Sequence, residues 1–189
     1  MEERIGGWIE TYTGRQFWPL DPRPEEIDRL DIAHALSQIC RFTGHSKWHY
    51  SVATHSLLCA EYLHLEGASE AIQLRALLHD ASEAYICDVA RPVKPYLQNY
   101  TDIEKQLMNV IYLSFGLPAD DPEADAAVKR ADDALLHMEA LKLMPKAEWA
   151  TREGYSATID KLIARRPMDF IEMMFLAKLE ELCKPTRTF

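Results

Sequence analysis

The 189-residue chain has little of what marks a secreted, fibrous or membrane-spanning protein. Its four cysteines, Cys40, Cys59, Cys87 and Cys183, form no C-x-x-C pair and are too few for a disulfide scaffold, so they read as reduced thiols, mostly of the core. Seven glycines and ten prolines exclude collagen-like and low-complexity classes. Apolar runs are short, as at residues 56–60 and 173–177, far below the ~20 residues of a membrane span. The start, Met1-Glu2-Glu3-Arg4, lacks the basic opening and apolar block of a signal peptide, so a cytoplasmic protein with no membrane partner is expected. Basic residues are also scarce: 21 Lys and Arg face 30 Asp and Glu, a net charge of -9. That balance argues against a nucleic-acid polymer as partner and requires any anionic ligand to be met by a local cluster of cations.

What is present suits one globular domain, with no repeat and no dividing linker. Around Thr13-Gly14-Arg15, alternating β-formers from Trp8 to Pro19 predict a small hairpin. From Pro24 onward the apolar period is helical: Ile27 and Leu30; Ile32, Leu36 and Ile39; then Val52, Leu57, Leu58 and Leu63 behind a Ser51 cap. Further helices are predicted over residues 71–85, from a Thr101–Glu104 capping box to Gly116 and Pro118, over 123–143 and over 167–183. Met138, Met144, Met168, Met173 and Met174 fall on helical patterns and read as core. The expected fold is all-α: a compact helical bundle with an N-terminal β-hairpin flap over 1–24, a core over 25–145 and a C-terminal helical extension over 146–189.

Chemistry concentrates in one constellation: His55, the doublet His79-Asp80, and Asp132, preferred to the adjacent Asp133. Two imidazoles and two carboxylates can enclose one divalent cation, and the mixture suits Mn, Fe, Co, Ni or Zn without choosing among them. On a continuous helix, Glu83 would share a face with His79 and Asp80 and stand beside the ion. The remaining histidines, His34, His45, His49, His64 and His137, read as packing, capping or surface residues.

The pattern His55, His79-Asp80 and Asp132 resembles the H…HD…D signature of the HD-domain phosphohydrolases. Its setting carries the likeness further: Tyr50-Ser51-Val52-Ala53-Thr54-His55-Ser56, Arg75-Ala76-Leu77-Leu78-His79-Asp80-Ala81-Ser82-Glu83-Ala84-Tyr85, Asp88-Val89-Ala90-Arg91-Pro92-Val93-Lys94 and Val128-Lys129-Arg130-Ala131-Asp132 together resemble the 5'-deoxynucleotidase branch over about residues 30–145. Tyr12-Thr13-Gly14-Arg15, the Leu20-to-Pro24 segment and Asp31-Ile32-Ala33-His34-Ala35-Leu36-Ser37 look more like a phage-type subgroup that includes dATP triphosphohydrolases. Ala90 and Arg91 depart from the small hydroxyl or proline residues frequent in relatives of that branch.

The resemblance implies an HD-domain bundle, metal ligation by His55, His79, Asp80 and Asp132, and proton handling or water orientation by Glu83 and Asp88. Co, Mn or Zn would serve, with a second ion such as Mg able to accompany the phosphates. Hydrolysis develops charge on phosphoryl oxygens, so cations are needed, and Arg41, Lys94 and Lys129 are the candidates. Arg41-Phe42 resembles the branch's Arg-aromatic pair, while Phe42, Trp18 and Pro92 are candidate apolar walls for a base. The leading expectation is a homo-oligomeric dATP triphosphohydrolase of the phage nucleotide pool, acting in the host cytoplasm. Alternatives are a 5'-nucleotidase for deoxynucleoside monophosphates, a phosphodiesterase for cyclic or signalling nucleotides, and a non-catalytic nucleotide sensor.

Overall fold

A computed structural model describes residues 3–183. Met1, Glu2 and residues 184–189 at the end of the expected C-terminal extension lie outside the described residues. The fold is mostly helical with one small antiparallel sheet. Strands β1 (Ile9–Glu10) and β2 (Gln16–Phe17) form the expected hairpin, with Ile9 opposite Phe17 and Gly14 in the left-handed conformation (φ 80°) that its turn requires. Phe17 is fully buried and stacks on Tyr85 with ring centroids 4.0 Å apart. The hairpin tip is tied to the bundle where the Thr13 amide and hydroxyl donate to the buried carboxylate of Asp31, at 2.7 and 3.0 Å.

Eight helices follow among the described residues: α1 (Arg29–Gln38), α2 (Val52–Leu65), α3 (Glu70–Leu78), α4 (Glu83–Ile86), α5 (Tyr100–Ser114), α6 (Pro122–Leu143), α7 (Ala157–Leu162) and α8 (Met168–Leu182). Helix α2 is the axis. Its Ser51 cap accepts from the Thr54 amide as expected, and buried residues encircle it because α1, α3, α6 and α8 all pack against it. Helix α8 joins the same core through Ile171, Phe175, Leu179 and Leu182, a stripe at helical spacing. That stripe turns Met168, Met173 and Met174 outward, against the core reading of these methionines, whereas Met138 is buried.

Two expected helices differ in ways that matter for the site. The helix predicted over 71–85 is interrupted: α3 ends at Leu78, residues 79–82 form a tight turn and α4 begins at Glu83. The cause is local. His79 Nδ1–H donates to the Ala76 carbonyl at 2.7 Å, taking the acceptor that the Asp80 amide would use in a continuous helix. The chain then tightens, with Ala81 N–H bonded to Leu78 O at 2.8 Å and Glu83 N–H to Asp80 O at 3.0 Å. The second difference is at α5, which begins at Tyr100 behind Asn99 in the left-handed conformation (φ 63°). The expected capping box does not form there, and the Glu104 carboxylate instead takes the Lys94 ammonium at 2.8 Å.

Candidate metal centre and adjoining cavity

Five segments converge on one end of α2. His55 comes from α2, His79 and Asp80 from the turn after α3, and Asp132 from the middle of α6. Arg41 is delivered by a pinch in the chain: Arg41 N–H bonds Tyr50 O at 2.8 Å and Val52 N–H bonds Ile39 O at 3.0 Å, around an isolated Cys40–Ser51 bridge. Immediately afterwards Phe42 and Thr43 both have positive φ (54° and 52°), strained for residues with a Cβ, at a cost of about 1–3 kcal/mol each. That turn sends Arg41 inward and leaves Phe42 on the cavity wall. Cys87, at φ 70°, ends α4 and directs the chain through Asp88 and Arg91 along the opposite wall.

The two imidazoles are set alike. His55, fully buried, donates from Nδ1 to Glu139 Oε1 at 2.8 Å, and His79 donates from Nδ1 to the Ala76 carbonyl. Each ring therefore presents Nε2 to the centre. His55 Nε2 lies 3.2 Å from Asp132 Oδ1, 3.9 Å from Asp80 Oδ2 and 3.5 Å from Cys59 Sγ; His79 Nε2 lies 3.3 Å from Asp80 Oδ2. His79 Nε2 is buried with no hydrogen-bond partner, an arrangement that suits a cation ligand. His55, Cys59 and His79 form a group whose ligand atoms all lie within 4.8 Å of one another. A divalent ion fits this donor set, with Glu139 and the Ala76 carbonyl as the outer partners that fix both tautomers.

Charges are divided sharply across the centre. Burial opposes ionisation of Asp132, yet its bond to His55 holds its pKa well below the ordinary carboxylate range. Glu139, fully buried, is likewise held low despite desolvation, because His55 and Arg41 flank it and Tyr50 donates to it at 2.9 Å. Arg41 Nε stands 3.2 Å from Glu139 Oε2 and Nη1 3.6 Å from Asp80 Oδ2, which keeps the guanidinium charged against its burial. Glu83 is the opposite case. Burial, followed by the neighbouring charges of Asp80 and Asp88, pushes its pKa up to about 9, and its Oε2 is buried without a hydrogen-bond partner. Asp88 is also raised, chiefly by burial.

Above the centre opens a cavity of about 430 Å³, within the range of small-molecule sites. Of the residues expected from sequence, Arg41, Phe42, Asp80, Glu83, Asp88, Pro92, Lys94 and Asp132 line it, with His55 and His79 against its floor. Two expected residues are elsewhere. Trp18 lies beneath the Arg4 guanidinium, 4.2 Å from its ring centroid, and does not reach the cavity; Trp149 and Leu136 supply apolar wall instead. Lys129 pairs with Asp133 one turn along α6 and lines a separate cleft with Arg130 and Tyr62, because its place on α6 points it to the far side of Asp132.

The residues that sequence reasoning missed are Glu139, Tyr50, Cys59 and Arg91. Glu139 follows Asp132 by two helical turns on the same face of α6, and Cys59 follows His55 by one turn on α2, spacings that were available signals. Arg91 is exposed at the cavity rim, bonded to Asp132 Oδ2 at 3.0 Å and to Asp133 at 3.3 Å. By sequence it stands out only as a departure from the branch that this segment resembles.

No family model matches the chain. Two curated proteins are similar to it at length. "Uncharacterized protein YfdR" of Escherichia coli is 39% identical over 153 residues, 80% of this chain and 82% of that protein. "Uncharacterized protein RCAP_rcc00048" of Rhodobacter capsulatus is 38% identical over 139 residues, covering 70% and 71%. With that identity across most of both chains, the protein belongs to the family that includes YfdR of Escherichia coli.

Proposed function

We propose that the chain is a metal-dependent phosphohydrolase of the HD-domain type that removes phosphate from deoxynucleotides, with dATP as the leading substrate. The observation that carries this reading is the paired orientation of His55 and His79: both rings have Nδ1 committed to a fixed acceptor and Nε2 turned towards carboxylates at the floor of a cavity. The resemblance of the surrounding segments to deoxynucleotide phosphohydrolases supplies the substrate class. His55, His79, Asp80 and Asp132 would hold a divalent ion, which would supply Lewis acidity towards a phosphoryl oxygen.

The chain's own residues divide the remaining work. Arg41, with Lys94 and Arg91 nearer the rim, binds phosphate oxygens and offsets the negative charge of this acidic protein where the substrate enters. Glu83, buried beside Asp80 and Asp88, is placed to carry a proton and hand it to the leaving oxygen. Asp88 accepts a hydrogen bond from the attacking water and orients it. Phe42 and Trp149 offer flat apolar walls that exclude water and suit a base. One observation favours a second reading, the 5'-nucleotidase. With Lys129 outside the cavity, fewer cations remain for the outer phosphates of a triphosphate.

A panel of deoxynucleoside mono-, di- and triphosphates, assayed with added Co, Mn or Zn and resolved by chromatography, tests the proposal. Metal-dependent turnover with dATP fastest supports it. Preference for dAMP moves the assignment to the monophosphatase, and metal-dependent nucleotide binding without any turnover identifies a sensor.

A further inference from the structure

We propose that Cys59 is a sulfur ligand of this metal centre, so that the site takes zinc or cobalt with thiolate coordination in preference to manganese or magnesium. The inference rests on the metal-centre reading and adds a donor that the H…HD…D pattern does not contain. Its ground is geometric. His55 and Cys59 stand at i and i+4 on α2, both fully buried, and therefore share one helical face. The separation between His55 Nε2 and Cys59 Sγ is 3.5 Å. An ion at about 2.05 Å from an imidazole nitrogen and about 2.3 Å from a thiolate sulfur, with a near-tetrahedral angle between the two bonds, has those donors about 3.6 Å apart. The donor atom of His79 lies within 4.8 Å of both. The Asp132 oxygen, 3.2 Å from His55 Nε2, is spaced for a further position.

Softness points the same way. Sulfur favours borderline and soft ions, while magnesium demands oxygen donors. Forming the metal–sulfur bond breaks S–H and releases one proton to solvent. Burial holds the Cys59 thiol above its ordinary pKa, so the ion's own double charge, with the Arg41 guanidinium beside Asp80 and Glu139, has to offset the added negative charge.

Cobalt(II) titration of the metal-free full-length protein tests this, because thiolate ligation gives a sulfur-to-cobalt charge-transfer band in the near ultraviolet that nitrogen and oxygen donors do not. The wild type should show the band at one equivalent. Cys59→Ser and Cys59→Ala should bind cobalt without it, and zinc affinity by competition with a chromophoric chelator should fall at least about tenfold. Cys87→Ser, altering the exposed thiol next to Asp88, should keep the band. A wild-type protein that binds one cobalt with no charge-transfer band would overturn the Cys59 assignment while leaving the metal centre intact. A band that survives in both Cys59 variants would also overturn it. Wild-type protein that binds no cobalt at all would overturn the metal-centre reading together with this one.

Discussion

Glu139 Oε1 accepts the Nδ1 proton of His55 at 2.8 Å in a fully buried contact between residues 84 positions apart. The bond ties α6 to α2 and fixes the imidazole tautomer, so the orientation of Nε2 depends on a residue that would never touch an ion. Glu139→Gln keeps an acceptor but removes the charge that makes His55 a better donor and balances Arg41. Cobalt affinity measured by calorimetry is expected to fall about 10–100-fold. An unchanged affinity in a folded variant would reduce Glu139 to a packing role.

Metal should also act as a folding ligand, because its donors come from three separate segments that only the native state brings together. At a free metal concentration of about 100 times Kd, binding to the native state alone contributes about 2.7 kcal/mol, equivalent to a rise in Tm of about 5–10 °C for a domain of this size. Thermal unfolding with and without Co or Mn, reversed by chelator, measures it. His55→Ala should lose the shift. A Tm indifferent to metal in the wild type contradicts the site.

In metal-free protein the raised pKa of Glu83 has a definite consequence for stability. The carboxyl stays protonated in the folded chain up to about pH 9 but ionises near pH 4.5 once unfolded, so the native state binds the extra proton between those limits. Stability from this group is therefore greatest at low pH and is lost as pH rises towards 9, with a slope of at most about 1.4 kcal/mol per pH unit. Glu83→Gln, which mimics the protonated form, should gain on the wild type by that slope between about pH 5.5 and 8 in urea unfolding. Parallel pH profiles for the two proteins would show that Glu83 ionises normally.

Much of this was legible because it lies in local patterns. The Ser51 cap and the hairpin turn at Gly14 each follow from short-range chemistry, and the two histidines and two aspartates stand in a spacing that helices bring together. What escaped was set by long-range contacts. The break after Leu78 depends on a ring nitrogen competing for a backbone carbonyl, which periodicity does not report. Glu104 reads as a capping residue until Lys94 arrives beside it from another segment. Trp18 reads as a wall by composition, and only its packing under Arg4 shows that Trp149 takes that place.

The positions of Lys94 and Lys129 allow a last prediction about how phosphate is recognised. Both are candidate phosphate-binding cations by sequence, but only Lys94 lines the cavity, where it is half-buried and held by Glu104. Burial opposes its charge, yet that carboxylate keeps its pKa above the ordinary value, so it remains a cation throughout the neutral range. Lys129, paired with Asp133 on an exposed helix face, is a surface pair of the kind worth about 0–1 kcal/mol. Lys94→Ala should therefore lower kcat/KM for dATP by about 10–100-fold, the equivalent of about 1.4–2.7 kcal/mol, and lower it less for dAMP, which has fewer outer charges to satisfy. Lys129→Ala should leave both substrates within about twofold. Arg41→Ala should reduce both, because its guanidinium reaches Asp80 at the floor, where the reacting phosphate would sit. Steady-state kinetics of the three variants on dATP and dAMP read this directly: equal losses on the two substrates for Lys94→Ala would assign that lysine to the reacting phosphate and favour the monophosphatase.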